Sequence, residues 1–235
     1  APAGQALVSI GHLAPFAALW DGQHYLSIAA TGYEAFSCPD NPDWVCGNVG
    51  WFPLFPLIGR AVHLLLSPVG LDMRWSLLLA GFAALLAALV VLYRLLASRF
   101  DHWTAMTALA AMLLFTSSFY LLTAFPYALY LLLAALVFLL LDQKRYLACA
   151  LPAGLLAITY PSGIVIALPL LWTLISQWRA LTRRARLSLA LATASGGLAL
   201  GLYFLYYWIR FDNFLLYVDF QSKPYYAHEA AFPLV

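Results

Sequence analysis

The stretch "WSLLLAGFAALLAALVVLY" (75–93) carries no charged side chain, although it is 19 residues long. A helix needs about 20 predominantly apolar residues to cross the hydrocarbon core of a bilayer, so the stretch predicts a transmembrane helix. The whole chain agrees with it, because 64% of its 235 residues are hydrophobic and only 9% are charged. Soluble domains carry roughly 25% charged residues. We expect an integral membrane protein, and the few basic residues, which follow apolar runs, give no support to nucleic-acid binding.

Further apolar runs predict more spans. Residues 103–121, 125–141 and 188–209 are apolar over helical lengths. Residues 147–178 are also apolar but are interrupted by "TYPSG" (159–163), where a proline and a glycine predict two short helices that meet at a turn. That turn either lines a site within the membrane or is a plain tight hairpin. The prediction for 75–209 is an all-α bundle of about six spans, with 147–178 as a broken pair.

The orientation follows from the basic residues. Strict alternation of the spans puts eight of them on one side, which the positive-inside rule makes cytoplasmic: Arg94, Arg99, Lys144, Arg145, Arg179, Arg183, Arg184 and Arg186. Asp21 then lies on the outer face. The membrane would be the cell inner membrane in a bacterium or that of the endoplasmic reticulum in a eukaryote.

The remaining segments are predicted to lie outside the bilayer or at its edge. Residues 20–74 would form an outer-face loop, because the apolar run 51–70 contains Pro53, Pro56 and Arg60 and is better suited to an interfacial helix than to a crossing. Residues 1–19 would be the remnant of a first membrane helix, and 210–235 a second outer-face loop. The chain looks incomplete.

Two of the three cysteines flank a polar turn-forming stretch. Cys38 and Cys46 surround "PDNPDWV", so they would form a disulfide in an oxidising compartment and remain free thiols otherwise. Cys149 lies in an apolar run and is expected to be a core residue.

Three blocks carry a resemblance to a known family. "WDGQHYLSIAATGY" (20–33), "WFPLFPLI" (51–58) and, more weakly, "FDNFLLYVDFQSKPYYAHEAAFP" (211–233) resemble, in order, signature blocks of the PIG-V-like mannosyltransferases of the GT-C glycosyltransferase superfamily. The resemblance implies a GT-C-like helical bundle whose outer-face loop carries short interfacial helices. It also implies transfer of a sugar, with mannose favoured, from a polyprenyl- or dolichyl-phosphate donor to an outer-face acceptor.

By this resemblance Asp21 is the catalytic carboxylate. The leaving group is already a phosphate, so one base for the acceptor hydroxyl is sufficient. Asp21 would also make a good helix N-cap, and one residue can do both. His24, one turn later, could orient Asp21, bind the phosphate, ligate a metal, or be a histidine hydrogen-bonded at the interface. Trp20 and Tyr25 could stack on a sugar ring or anchor the interface.

The chain also departs from the family. Tyr127 and Tyr160 stand where the family commonly has an acid and an arginine, and Tyr160 can offer a phosphate only a neutral hydrogen bond. Arg210, Lys223 or His228 could compensate from the last loop, which also carries Gln221. The alternative is a catalytically inactive GT-C-like scaffold subunit of a larger membrane assembly, and a transporter is a distant third.

The expected partners are membrane lipid, a polyprenyl-phosphate-linked sugar and, for a scaffold, other membrane subunits. No metal motif is present, so a divalent metal has no support beyond His24.

Overall fold

The computed structural model of the chain describes residues 20–39 and 41–223. The predicted helix remnant 1–19 and residues 224–235 of the final segment, including His228, lie outside the described residues.

Helices make up most of the described chain. They are α1 (Gly22–Thr31), α2 (Leu54–Leu66), α3 (Met73–Ala97), α4 (His102–Leu114), α5 (Tyr127–Asp142), α6 (Ala150–Ala157), α7 (Ala167–Ser176), α8 (Arg183–Phe211) and α9 (Leu216–Gln221). Short 3₁₀ turns occupy Ser67–Val69, Thr116–Leu122, Tyr146–Cys149 and Pro161–Ile166.

Among the described residues, two helices are long and apolar enough to cross a membrane by themselves, namely α3 with 25 residues and α8 with 29. Both begin at a side-chain cap, since Asp72 accepts from the backbone N–H of Trp75 (3.0 Å) and Thr182 accepts from that of Ala185 (3.3 Å). These caps lie outside the apolar runs, so both helices extend beyond the predicted 75–93 and 188–209. The fold is compatible with a membrane protein.

The predicted span 103–121 is not one continuous helix. Helix α4 ends at Leu114, Phe115 is extended, and the following turn Thr116–Leu122 is bent by 86° from α4. The Ser118 hydroxyl donates back to the carbonyl of Met112. Hydroxyl side chains that bond to backbone carbonyls compete with helix continuation, and "TSS" (116–118) supplies three of them.

Among the described residues, fewer helices qualify as spans by length and composition than the six or so that the sequence predicts. Counting the bent pair as one span gives at most three in the described chain, and the other apolar helices have 10–17 residues. Helix α5, with 16 residues, is about 24 Å long, less than the roughly 30 Å of a hydrocarbon core. In 147–178 the helical path breaks after Ala157, and Tyr160 is extended before the turn Pro161–Ile166.

A small sheet modifies the all-α prediction. Strands β1 (Ala35–Ser37) and β2 (Val45–Gly47) pair antiparallel, with Phe36 opposite Cys46. The chain between them is closed by a Cys38–Cys46 disulfide. This hairpin directly follows α1, so the pairing of its two strands helps to position the end of that helix.

The core lies where α3, α5, α6 and α8 pack together, and α2 packs on α3. Gly59 allows close approach of α2, because a Cβ there would collide with the Leu77 side chain. At one end of the bundle Arg99 pairs with Asp142 at 2.6 Å, which joins the end of α3 to the end of α5. We call this the basic end; α1, α2 and the β-hairpin lie toward the other.

Candidate functional site

The first candidate residue, Asp21, immediately precedes α1. Its side chain is exposed and makes no cap hydrogen bond, so the capping role considered for it is not what the structure shows. Among the described residues, no hydrogen bond or ion pair to its carboxylate is found. The carboxylate is therefore available to a ligand from solution.

Tyr25 shows which groups surround Asp21. This side chain is 3% exposed, and burial raises its pKa well above the ordinary value, with further increases from Asp21, Tyr127, Tyr160 and Tyr217. Side chains of α1, α5 and α9 and of the 159–163 turn are thus close enough to act on the charge of one buried phenol. The ring centroids of Tyr127 and Tyr160 are 5.5 Å apart. The structure brings together Asp21, Tyr25, Tyr127 and Tyr160, which are four of the predicted site residues, and adds Tyr217, whose pKa burial raises to about 12. We call these five residues the Asp21 cluster.

His24 belongs to a stack of rings beside this cluster. Its imidazole lies 3.5 Å from the ring of Trp51 at an interplanar angle of 12°. Trp51 in turn meets the Phe220 ring edge-on at 5.6 Å, and the Lys223 ammonium lies 3.7 Å from the centroid of Phe220. Burial lowers the pKa of His24, although the Asp21 carboxylate acts in the opposite direction. We call His24, Trp51, Phe220 and Lys223 the ring stack.

The imidazole of His24 is thus disposed to be neutral at pH 7. Among the described residues, no hydrogen bond to its ring is found. A neutral imidazole beside a carboxylate can accept or relay a proton.

The loop that carries Trp51 is held from two sides. Asn48 bonds to the end of α1, donating to the Ser27 hydroxyl and to the Gly32 carbonyl, each at 2.9 Å. From α8, Tyr207 donates to the carbonyl of Val49 at 2.8 Å. The positions of α1 and Trp51 are therefore fixed relative to each other.

The other predicted residues have varied surroundings. Gln221 donates to the Gly50 carbonyl at 3.0 Å, which places it beside the ring stack. Trp20 is 59% exposed and faces Phe119 at 6.3 Å between ring centroids. Arg210 lies against the neighbouring Phe211 ring (5.5 Å) rather than against Asp21 or His24, so the structure does not support its predicted role beside the donor.

An apolar groove runs along the other half of α1. It has a volume of about 440 Å³. Its lining includes Ile28, Leu57, Arg60, Ile158, Leu202 and the phenol of Tyr206. Among the described residues of this lining, Arg60 alone is charged, and Ile158 directly precedes the 159–163 turn that carries Tyr160.

Sequence reasoning missed several of these residues. Trp51 is predicted only as the start of an apolar block and Tyr207 only as part of a span, and Asn48 is not singled out. The asparagine and glycine that precede the aromatic pair in "NVGWF" (48–52) are a signal that could have marked this loop as more than a linker.

The described chain holds no group of three or more His, Cys, Asp or Glu residues able to bind a metal ion. The side chains around Asp21 are tyrosines and one imidazole, a poor ligand set for a divalent cation.

Over the residues that the structure describes, the chain is mostly helical and has two helices long and apolar enough to cross a membrane. Comparisons with protein-family models, with characterised proteins and with solved structures find no match to it.

Proposed function

We propose that this chain is a membrane glycosyltransferase of the GT-C kind, as its sequence blocks suggest. It would transfer a sugar from a polyprenyl- or dolichyl-phosphate donor to an acceptor on the Asp21 side of a multi-pass membrane protein, and mannose is the sugar that the resemblance favours. The observation that carries the proposal is the exposed Asp21 carboxylate, which shares the surroundings of Tyr25 with Tyr127 and Tyr160.

The chemistry requires one base. An acceptor hydroxyl attacks the anomeric carbon, the new C–O bond forms as the bond to the phosphate oxygen breaks, and the lipid phosphate leaves with the electron pair. Asp21 takes the proton of the hydroxyl, and no second carboxylate is needed to protonate a phosphate leaving group. His24, stacked on Trp51, would keep its imidazole beside this carboxylate and hold its orientation.

The donor would bring a long apolar chain, and the groove along α1 supports this choice. It offers about 440 Å³ of mostly apolar space to isoprenoid units. Arg60 would offer a charge-assisted bond to the phosphate, and Tyr160 a neutral one.

The test is sugar transfer by the purified full chain in lipid vesicles, with radiolabelled polyprenyl-phosphate-mannose and a membrane extract as acceptor. Asp21→Asn keeps the shape and removes the base, and we expect a loss of roughly 10²- to 10⁴-fold. The matched control is Asp43→Asn, which removes an exposed carboxylate of the hairpin loop and should leave transfer unchanged. Equal transfer by Asp21→Asn and wild type would refute the assignment of Asp21.

One observation favours a second candidate, a GT-C-like scaffold without activity. The tyrosines that replace the family's acid and arginine pack on other rings, since Tyr127 is stacked 5.6 Å from Phe125 and Tyr160 is 6.3 Å from Tyr130. The two candidates are distinguished by a panel of lipid-phosphate sugars. Absence of transfer with every donor, together with co-purification of other membrane subunits, would favour the scaffold.

A further inference from the structure

The basic end of the bundle contains a cavity that the proposed function does not use. It has a volume of about 570 Å³ and lies between the turn after α5 and the start of α8. Its lining includes Lys144, Arg145, Leu147, Thr182, Arg184 and Ser188. None of the described residues that line it carries a carboxylate.

The charges of this cavity are not balanced within the described chain. Lys144, Arg145 and Arg184 form no ion pair with any described residue, whereas Arg99 nearby is paired with Asp142. The positive-inside rule accounts for basic residues on this side, but it does not require three of them to face one cavity. Such convergence creates a local site for an anion.

Lys144 has a backbone conformation that is unusual for a lysine. Its φ is 57°, and it ends α5 in a Schellman arrangement, in which the N–H of Arg145 bonds to the carbonyl of Leu140 at 2.8 Å and that of Lys144 to Leu141 at 3.0 Å. Glycine is the usual residue at this left-handed position, because a Cβ is disfavoured there. Keeping a lysine there places an ammonium at the mouth of the cavity.

The cavity also has the surroundings expected of the membrane interface. Leu147, in its lining, is 58% exposed. Arg186, which follows Arg184 by two residues, lies 4.7 Å from the ring of the half-exposed Trp178. Tryptophan is enriched where lipid headgroups begin. An anion bound here would therefore have apolar surface next to it, which suits a lipid better than a soluble ion.

We infer that this cavity binds the phosphate group of an anionic membrane lipid. Lys144, Arg145 and Arg184 would contact the phosphate oxygens, the hydroxyls of Thr182 and Ser188 would complete the site, and the acyl chains would lie along Leu147. Basic pockets between membrane helices on the cytoplasmic side are a known way of holding such headgroups. The inference does not depend on glycosyl transfer.

The experiment is native mass spectrometry of the full chain in a non-ionic detergent, titrated with phosphatidylglycerol and, in parallel, with phosphatidylcholine. A basic residue near an anionic surface contributes a factor of about five in affinity. We expect Lys144→Gly and Arg184→Gln each to weaken phosphatidylglycerol binding by about that factor. The matched control, Arg183→Gln, removes the same charge from a residue outside the cavity and should bind as the wild type does.

Lys144→Gly also separates binding from folding. Glycine relieves the left-handed strain, so the variant should unfold at the same temperature as the wild type or higher while it loses lipid. Unchanged binding by Lys144→Gly and by Arg184→Gln, or an equal loss in Arg183→Gln, would overturn the inference. Inorganic phosphate that displaces the lipid at equal concentration would overturn the assignment to a lipid.

Discussion

Replacing Asn48 with alanine is expected to detach α1 from the β-hairpin. The Asn48 side chain is 4% exposed. Its amide donates to the Ser27 hydroxyl and to the Gly32 carbonyl, each at 2.9 Å, and its oxygen accepts from the Glu34 N–H at 2.8 Å. Three bonds from one side chain therefore hold the end of the helix that carries Asp21 at its start.

The magnitude follows from these bonds. A typical intramolecular hydrogen bond contributes about 1 kcal/mol net, so the three together contribute about 3 kcal/mol. The variant would also leave the Glu34 N–H and the Gly32 carbonyl without partners. Unless water replaces the lost bonds, the destabilisation should therefore exceed this value. For a chain of this size each kcal/mol lowers the melting temperature by about 2–4 °C, so we expect a decrease of about 6–12 °C.

The measurement is thermal unfolding of the purified chain in detergent, with Asn41→Ala as the control. Asn41 makes a single exposed bond of the same kind, accepting from the Asp43 N–H at 3.1 Å, and its loss should stabilise or destabilise by less than about 0.5 kcal/mol. If Asn48→Ala and Asn41→Ala melted at the same temperature, the reasoning that this network anchors α1 would be refuted.

Three further predictions concern pH, the turn and the disulfide. Burial lowers the pKa of His24, so the folded state binds fewer protons than the unfolded state at acidic pH. Stability should therefore fall as the pH drops below about 6.5. The melting temperature of His24→Phe should lack this pH-dependent decrease. Gly163→Ala should destabilise by about 1–3 kcal/mol in the same assay, since the new Cβ would collide with the Leu156 carbonyl oxygen; an unchanged melting temperature would contradict this. Replacing both Cys38 and Cys46 with alanine removes a disulfide with a sequence separation of 8. The variant should be less stable by about 2.5 kcal/mol, because the unfolded chain gains entropy. Reducing the disulfide in the wild type should destabilise it by the same amount.

The long helices could be predicted because their signal is local. In α3 and α8 the apolar run alone exceeds the length of most globular helices, and no competing pattern interrupts it. The helices begin after Asp72 and Thr182, whose side chains accept from N–H groups two or three residues later. Both capping residues lie outside the apolar runs from which the spans were predicted. The break at Phe115 was missed for a related reason, since hydropathy does not register hydroxyls that compete for backbone carbonyls.

The candidate site could be predicted only in part. Asp21 and His24 were selected from one short motif, and the grouping of Tyr127 with Tyr160 followed from the resemblance. No local motif indicates that the ring of Trp51 would stack on His24. Trp51 lies 27 positions further along the chain, and its ring is positioned by Phe220 and by hydroxyls of α8. Contacts at such separations depend on the packing of whole helices, which no local pattern specifies.

The tyrosines of α8 show how a helix remote from Asp21 determines the site. Tyr207 donates to the carbonyl of Val49 at 2.8 Å, and Tyr203 and Tyr33 donate to that of Trp51 at 3.2 and 2.6 Å. Val49 is fully buried, and a buried carbonyl left without a donor loses about 1–3 kcal/mol. If α8 moves, the 48–52 loop should therefore move with it and keep these bonds. Because His24 is stacked on Trp51, the ring of His24 would be displaced as well. A loss of activity in a Tyr207→Phe variant would accordingly be evidence for this positioning, and not for a tyrosine that acts on the substrate.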